Sequence, residues 1–526
     1  MVYKNFRVTS CYLADRYLTD WRAEQNMLVT AYRSEEKALE KIRGSVVEHY
    51  KLLWDYCEEL KRTNIGTTAL VEGHVGEFRR LYICIGALRD GFIRGCIRVI
   101  GVDGCFLKTE LGGQLLTAVG VDANNGMYLV VYAVVEVENG DNWKWFLELL
   151  KDDLHIHSSQ HWIFISDQQK GLTNAIGTLF ENLEHRMCVR HLYNNFSFCH
   201  KGLALKNCLW DVARATTISQ WRQHVQRMMD LDPAAYGWLE EKPASQWSKS
   251  HFREWNQCDM LLNNLCESFN STIVAVKEKP ILTMLEDIRV YLMRRIVSRR
   301  ESCYRWTTAV GPRMQKILDK NGKLARFQWA EYAGNEKFQV RHNVGIVLHA
   351  LDLRARTCTC RGWQLSGIAC SHVIASIISR GLNVLEFVDD IYKKDAYMRT
   401  YTPSISPITG PDAWPTPGLN PLTPPVYTKR PRRPKKNRIN EPNEVASSMH
   451  KLSACSGYNI ALWEPFLMFM YWIFLFQSSI DWWMNCVSDS QGLLSWCVSI
   501  GGIWKKTWNS LAKFFLKVRD VIRKYF

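Results

Sequence analysis

Three acidic residues and one cysteine–histidine cluster are the side chains of this 526-residue chain whose types and settings could do chemistry. Asp103 stands inside "VIGVDGCFLK", a run otherwise suited to a buried strand, where an uncompensated carboxylate is costly. Asp167 ends a second apolar run, "HWIFISD", and Glu267 lies in the helical pattern "NNLCESFNSTIVAVKE". Three carboxylates drawn together repel one another unless a cation neutralises them. Two Mg²⁺ or Mn²⁺ ions about 3.5–4 Å apart do this, and they also activate a water and stabilise the leaving oxygen in phosphodiester cleavage. Each acid taken singly also has a structural explanation. Asp167 precedes "QQKGL" and could cap a helix, and Asp122, in "GVDANNG", belongs to a turn.

The second constellation is "CTCRGWQLSGIACSH", residues 358–372, with the form C-x-C-x₉-C-x-H. Cys358, Cys360, Cys370 and His372 offer three thiolates and an imidazole, the set that a closed, structural Zn²⁺ site takes. Cys358 and Cys360 would point the same way along a strand, with Cys370 and His372 opening the helix "SHVIASIIS". So small a unit has too little core to hold itself together, and the metal supplies the missing stability. The remaining cysteines lie singly in apolar runs. "MVYKNFRVTSCYLADRY" carries no apolar signal segment, so reduced thiols are expected.

Positioning these groups requires an α/β framework. Residues 1–90 read as helical, from Ile42, Val46, Tyr50, Leu53 and Tyr56 at helical spacing. From about residue 97 the period changes, and "CIRVIGVDGCFLK", "QLLTAVGVD" and "MYLVVYAVVEVE" read as three strands. "NWKWFLELLKDDL" follows as a helix capped by Asp141 or Asn142, then the strand "HWIFISD", a helix from "QQKGL" and a short strand at "HRMCV". That order is the order of a ribonuclease-H-like domain, in which the first and fourth strands are neighbours, so Asp103 and Asp167 are expected at one edge of the sheet. The expected organisation is a domain over 95–300 with a helical insertion at about 190–260, a zinc module over 340–383, an exposed Pro-rich basic linker over 402–445 and an atypical tail over 446–526.

The run from "VIGVDGCFLK" to "NWKWFLELL" resembles the catalytic core of plant Mutator-like (MULE, MuDR) transposases, relatives of the far-red-impaired-response transcription factors. The resemblance continues through "FISDQQKGL", "EHRMCVRHLYNNF", "CDMLLNNLCESFN" and "KPILTMLEDIRVYLMRR", spanning roughly residues 10–440. It implies a ribonuclease-H-like DDE core with a helical insertion and puts Asp103, Asp167 and Glu267 on the acidic triad. Cys188 and His191 match the family's Cys-x-x-His signature, whose side chains shape the active site or contact DNA; two ligands cannot complete a zinc site. The C-x-C-x₉-C-x-H spacing matches the SWIM-type zinc finger that follows this core. The activity implied is metal-dependent strand cleavage, after which a freed 3′-hydroxyl attacks target DNA. Apart from the resemblance, Lys108 on the first strand could steer phosphate, a surface lysine being the commoner outcome. The alternative is a domesticated relative that kept the fold, lost cleavage and regulates transcription. The zinc-bearing recognition domain usual in the family precedes the segment with which this chain begins, so recognition of specific transposon ends is in doubt.

A net charge of +15 points to a polyanionic partner, nucleic acid first and a membrane surface second. Lys429, Arg430, Arg432, Arg433, Lys435, Lys436 and Arg438 form a basic run that fits a nuclear localisation signal, or else an arm for phosphate. Nucleus is the expected compartment, DNA the expected partner, and a homo-oligomer is compatible with both. The tail holds seven of the 21 tryptophans, and "PFLMFMYWIFLFQSSI" is uncharged for 16 residues, short of the roughly 20 that a membrane helix needs. The final segment is amphipathic and could meet a membrane surface or a partner helix, but membrane association is not expected of it.

Overall fold

A seven-stranded mixed sheet carries the first two acids. The computed structural model describes residues 46–109, 111–343 and 347–425. The chain divides into two compact units, Met1–Glu444 and Val445–Phe526, and all the described residues belong to the first. Residues 1–45 of the expected helical region, the Lys429–Arg438 run and the 446–526 tail lie outside the described residues.

The strands are β1 (Thr68–His74), β2 (Glu77–Cys84), β3 (Ile97–Phe106), β4 (Gln114–Val121), β5 (Met127–Val135), β6 (Ile163–Ser166) and β7 (Glu184–Met187), in the order β1-β2-β5-β4-β3-β6-β7. The strands from β1 across to β3 pair antiparallel, whereas β6 joins β3 and β7 joins β6 in parallel. Every residue of β4 and β5 is buried, which explains their unbroken apolar sequences: a sheet covered on both faces has no polar side. On one face lies α3 (Gly86–Gly95), whose Phe92 fills the space that a side chain at Gly120 would need. On the opposite face Asn263 approaches Gly101 so closely that an added Cβ would stand 2.2 Å from its Oδ1. Helix α4 (Gly140–Asp153) is capped by Asn139, which accepts from Asn142 N, so the cap lies just upstream of Asp141 and Asn142. Next come α5 (Lys170–Leu179) and the short β7.

The N-terminal region departs from the expected all-helical form. Helices α1 (Val46–Lys51) and α2 (Leu53–Thr63) are present, but residues 68–84 form the β1–β2 hairpin. The helical period ends at Thr63, and "TALVEGHVGEFRRLYIC" turns at Val75 and Gly76, both with positive φ (52° and 78°), the backbone a tight hairpin demands.

Between β7 and Glu267 the insertion comprises α6 (Val189–Cys199), α7 (Leu203–Arg214), α8 (Ile218–Leu231) and α9 (Pro233–Glu240), with its own core around Phe196, Leu209, Val212 and Trp247. Then follow α10 (Asn264–Thr272), packed on β3, β4 and β5, the long α11 (Ile281–Tyr304) and α12 (Pro312–Ala325). A second sheet, ordered β11-β10-β9-β8, is built from β8 (Gln328–Gly334), β9 (Lys337–His342), β10 (Leu348–Asp352) and β11 (Thr357–Cys358), with α13 (Gly362–Ser366) and α14 (Ser371–Ser379) against it. The β8–β9 hairpin adds a strand ahead of the expected 340–383 module: Ala330 of β8 pairs with the buried Val340 of β9. Helix α15 (Lys394–Tyr401) returns to pack on α3.

Over 402–425 the proline-rich stretch is mostly exposed, but it is docked on earlier elements of the fold. Its backbone amides are taken up by earlier elements: Ser406 N donates to Asn64 Oδ1 (2.7 Å) and Thr409 N to Glu59 Oε1 (3.1 Å), and Thr423 bridges to Glu77. Ile405 and Leu422 are buried, and Trp414 packs edge-on against Tyr56. The stretch's internal backbone hydrogen bonds are confined to the turn at Pro411–Ala413, and elsewhere the globule supplies the partners. Among the described residues, no helix is long and apolar enough to cross a membrane.

Candidate active site and zinc centre

Parallel pairing of β3 with β6 aligns the two aspartates. Val99 faces Ile163, Ile100 faces Phe164 and Gly101 faces Ile165; two residues further along each strand come Asp103 and Asp167. Burial pushes the Asp103 carboxyl up to about 7, the Asp167 and Glu138 charges adding to the rise and His191 opposing it. Asn270 Nδ2 donates to Asp103 Oδ2 (3.1 Å), while Asp167 Oδ1 accepts from Gln169 N (3.1 Å). The helix after Asp167 is capped by Gln169, so Asp167 is not its cap. Asp122 does belong to the β4–β5 turn: it accepts from the amides of Asn124 and Gly126, and its other oxygen from Tyr401.

Glu267 lies in the first turn of α10, on the helix that delivers Asn270 to Asp103. Its carboxylate is held by the Arg190 guanidinium. Asp103, Asp167 and Glu267 do not form a group whose oxygens all lie within 4.8 Å of one another; among the described residues one cluster of three or more His, Cys, Asp or Glu does, and it is the cysteine–histidine set. Lys108 is exposed and paired with Glu278 (2.8 Å).

Cys188 and His191 stand beside the aspartates. Cys188 precedes α6 and accepts from Asn263 N (3.3 Å). Burial pushes its thiol up, but hydrogen bonds from His191 and from Asn263 outweigh this and leave it below the ordinary thiol value. The hydrogen bond to Cys188 raises His191, against burial and helped by the charges of Cys188, Asp167 and Asp103. His191 Nδ1 is buried without a hydrogen-bond partner. The pair therefore places an imidazole, its affinity for a proton raised, next to two carboxylates.

Sequence reasoning missed Glu138. It follows β5, and its carboxylate lies over Gly104: a Cβ there would stand 3.1 Å from Glu138 Oε2. Burial raises its carboxyl, a hydrogen bond from Trp143 Nε1 (3.2 Å) counteracts that, and Asp167 raises it further. The available signal was the pair of acids in "VVEVEN" just after an apolar run, of which Glu138 is the half-buried one near Asp103 and Asp167. Asn270 was missed too, although it stands three residues after Glu267 and so shares its side of α10.

The zinc ligands converge. Cys358 Sγ lies 3.8 Å from His372 Nδ1, Cys370 Sγ 3.8 Å from the same nitrogen, and Cys360 Sγ 3.5 Å from Cys370 Sγ. A tetrahedron built on Zn–S bonds of about 2.3 Å and Zn–N bonds of about 2.0 Å has edges of about 3.5–3.8 Å, so the donor set fits zinc. All four cysteine and histidine donors lie within 4.8 Å of one another, which leaves no place for substrate on the metal. β11 and the turn after it supply the first two ligands, and the start of α14 the other two. The His349 ring packs 4.0 Å from that of His372 and bonds Thr359.

The module is anchored through the zinc knuckle itself. Arg361, in left-handed backbone (φ 58°) between Cys360 and Gly362, donates to the carbonyls of Thr216, Ser250 and Phe252 and to Glu254 Oε1 (2.6 Å). Leu365 is buried in the core of the helical insertion.

Comparison with protein families now bears on this arrangement. Residues 99–195 match the MULE transposase domain. Residues 342–381 match the SWIM zinc finger. The first segment contains Asp103, Glu138, Asp167, Cys188 and His191; the second contains all four zinc ligands. Together the two matches and the four-donor cluster support a transposase-like chain that binds structural zinc. Comparison with the curated proteins finds no match.

Proposed function

We propose that this chain is a DDE-type transposase whose acidic site cleaves DNA strands with the help of Mg²⁺ or Mn²⁺. The observation that carries the proposal is the register-matched Asp103–Asp167 pair within the segment that matches the transposase domain. Support for a ribonuclease-H-like core comes from the sheet: β5-β4-β3-β6-β7 runs third, second, first, fourth, fifth, with the first three strands antiparallel and the last two added in parallel.

Asp103 and Asp167 would hold the metal, whose chemistry is to activate water and to stabilise the leaving oxygen. Asn270 fixes one oxygen of Asp103, and the Gln169 amide fixes one of Asp167, leaving the other lone pairs directed at the site. His191, raised by its hydrogen bond to Cys188, stands beside the acids. Glu267 completes the triad when it leaves Arg190. The basic run at Lys429–Arg438 serves nuclear import in this proposal.

One observation favours a second reading, a catalytically silent DNA-binding regulator: Arg190 already neutralises Glu267. Nicking of supercoiled plasmid in Mg²⁺ or Mn²⁺ decides between them. The catalytic reading expects nicking that is lost in Asp167→Ala; activity indifferent to that substitution overturns it.

A further inference from the structure

We infer that a cleft on the far side of α10 from the aspartates binds the sugar–phosphate backbone of a DNA strand. The cleft, of about 670 Å³, is enclosed by the β4–β5 turn, α7, the segment before α10, α10 itself, α11 and α12. Arg214, Arg295, Arg299 and Arg313 reach it from three separate helices, and none of the four forms an ion pair with a described carboxylate. Asp259, the acid in its lining, is engaged by Lys249. Residues 429–438 and 503–526 carry +7 and +6 of the net +15, so the rest of the sequence is close to charge-balanced and this concentration of arginine is local.

The chemistry of the lining selects the ligand. Planar guanidinium groups match phosphate oxygens in pairs. Arg295 and Arg313 are braced at the rim, donating to the carbonyls of Met127 (2.8 Å) and Asn125 (2.7 Å), with donors left to spare. Arg214 lies over the Trp210 ring at 4.9 Å, a half-buried aromatic surface beside a cation, which is the pairing that single strands stack upon. Asn264, Ser268 and Thr272 add neutral donors from one stripe of α10, of the kinds that contact phosphate and sugar. The cleft is too small for a duplex about 20 Å across but admits one backbone.

Its position sets it apart from the cleavage chemistry. Asn264, Ser268 and Thr272 occupy one side of α10, while Asn270, bonded to Asp103, occupies the other. A strand in the cleft is therefore separated by a helix width, about 10 Å, from the phosphodiester that the aspartates address. The inference takes its ligand class from the proposed function, but binding and cleavage are read separately.

The test is fluorescence anisotropy of the full chain, zinc-loaded and without Mg²⁺, with a fluorescein-labelled single strand and the matching duplex across a salt series. Arg214→Ala and Arg299→Ala should each weaken single-strand binding by roughly tenfold and reduce the slope of log affinity against log salt by about one. Arg222→Ala, exposed on α8 and outside the lining, should change neither. Binding is read without Mg²⁺ and without turnover, so loss of nicking alone leaves the inference standing. Unchanged affinity and slope in both cleft variants, an equal loss in Arg222→Ala, or competition by millimolar inorganic phosphate as effective as by the strand would overturn it. Thermal melts of the variants establish that they fold.

Discussion

Asp103 has a carboxyl group that half-titrates near neutral pH because it is buried beside Asp167 and Glu138. Its folded value lies above the ordinary carboxylate value, so the folded state holds the proton more tightly than the unfolded chain. The resulting stability is complete below about pH 4, the unfolded value, and is lost as pH rises through about 7. Melting of metal-free protein relative to Asp103→Asn should therefore decline between pH 4 and pH 8, most steeply between the two values, at about pH 5–6, and level off above. Glu138→Gln, which removes one of the raising charges, should move that decline to lower pH. A flat difference would mean that Asp103 is not in the environment described. At this scale the two aspartates could be read from the sequence, since one stands inside and one at the end of an apolar strand run. Glu138 was signalled only by the acids of "VVEVEN", because its burial depends on lying over Gly104, 34 residues earlier.

Among the elements, α10 decides whether the site can form, and a glycine decides where α10 rests. A methyl group at Gly101 would meet Asn263 Oδ1 at 2.2 Å and Cys266 Sγ at 3.1 Å, and Asn263 is itself buried and bonded to Val102 O (3.0 Å). Gly101→Ala should cost about 1–3 kcal/mol through overpacking and should lower nicking more than that destabilisation accounts for, because it displaces Asn270. Retention of full nicking in a folded Gly101→Ala protein would show that α10 does not set the geometry. The core strands were legible because β-branched runs buried on both faces leave little ambiguity. The β1–β2 hairpin was hidden by the strong helical period just before it. The 402–425 strap was hidden because its order comes from Asn64 and Glu59, more than 340 residues away in the chain.

Across the whole molecule, the zinc knuckle and the helical insertion are joined by Arg361 and Leu365. The cysteine spacing made the ligands readable, but nothing in it disclosed that the residue between Cys360 and Gly362 reaches three carbonyls in the insertion. Removing zinc, or substituting Cys370→Ser, should therefore open protease sites within residues 216–254 as well as within 347–381. Cleavage confined to the zinc module would mean that the two are independent.

The central claim is that Asp103 and Asp167 form a divalent-cation site. Electron paramagnetic resonance of free Mn²⁺, titrated at pH 8 against zinc-loaded protein, addresses it without requiring DNA or turnover. Saturable binding in the parent, abolished by Asp103→Asn and by Asp167→Asn with the zinc retained, is the predicted result. Binding that survives both substitutions unchanged, or no binding by the parent, would contradict it.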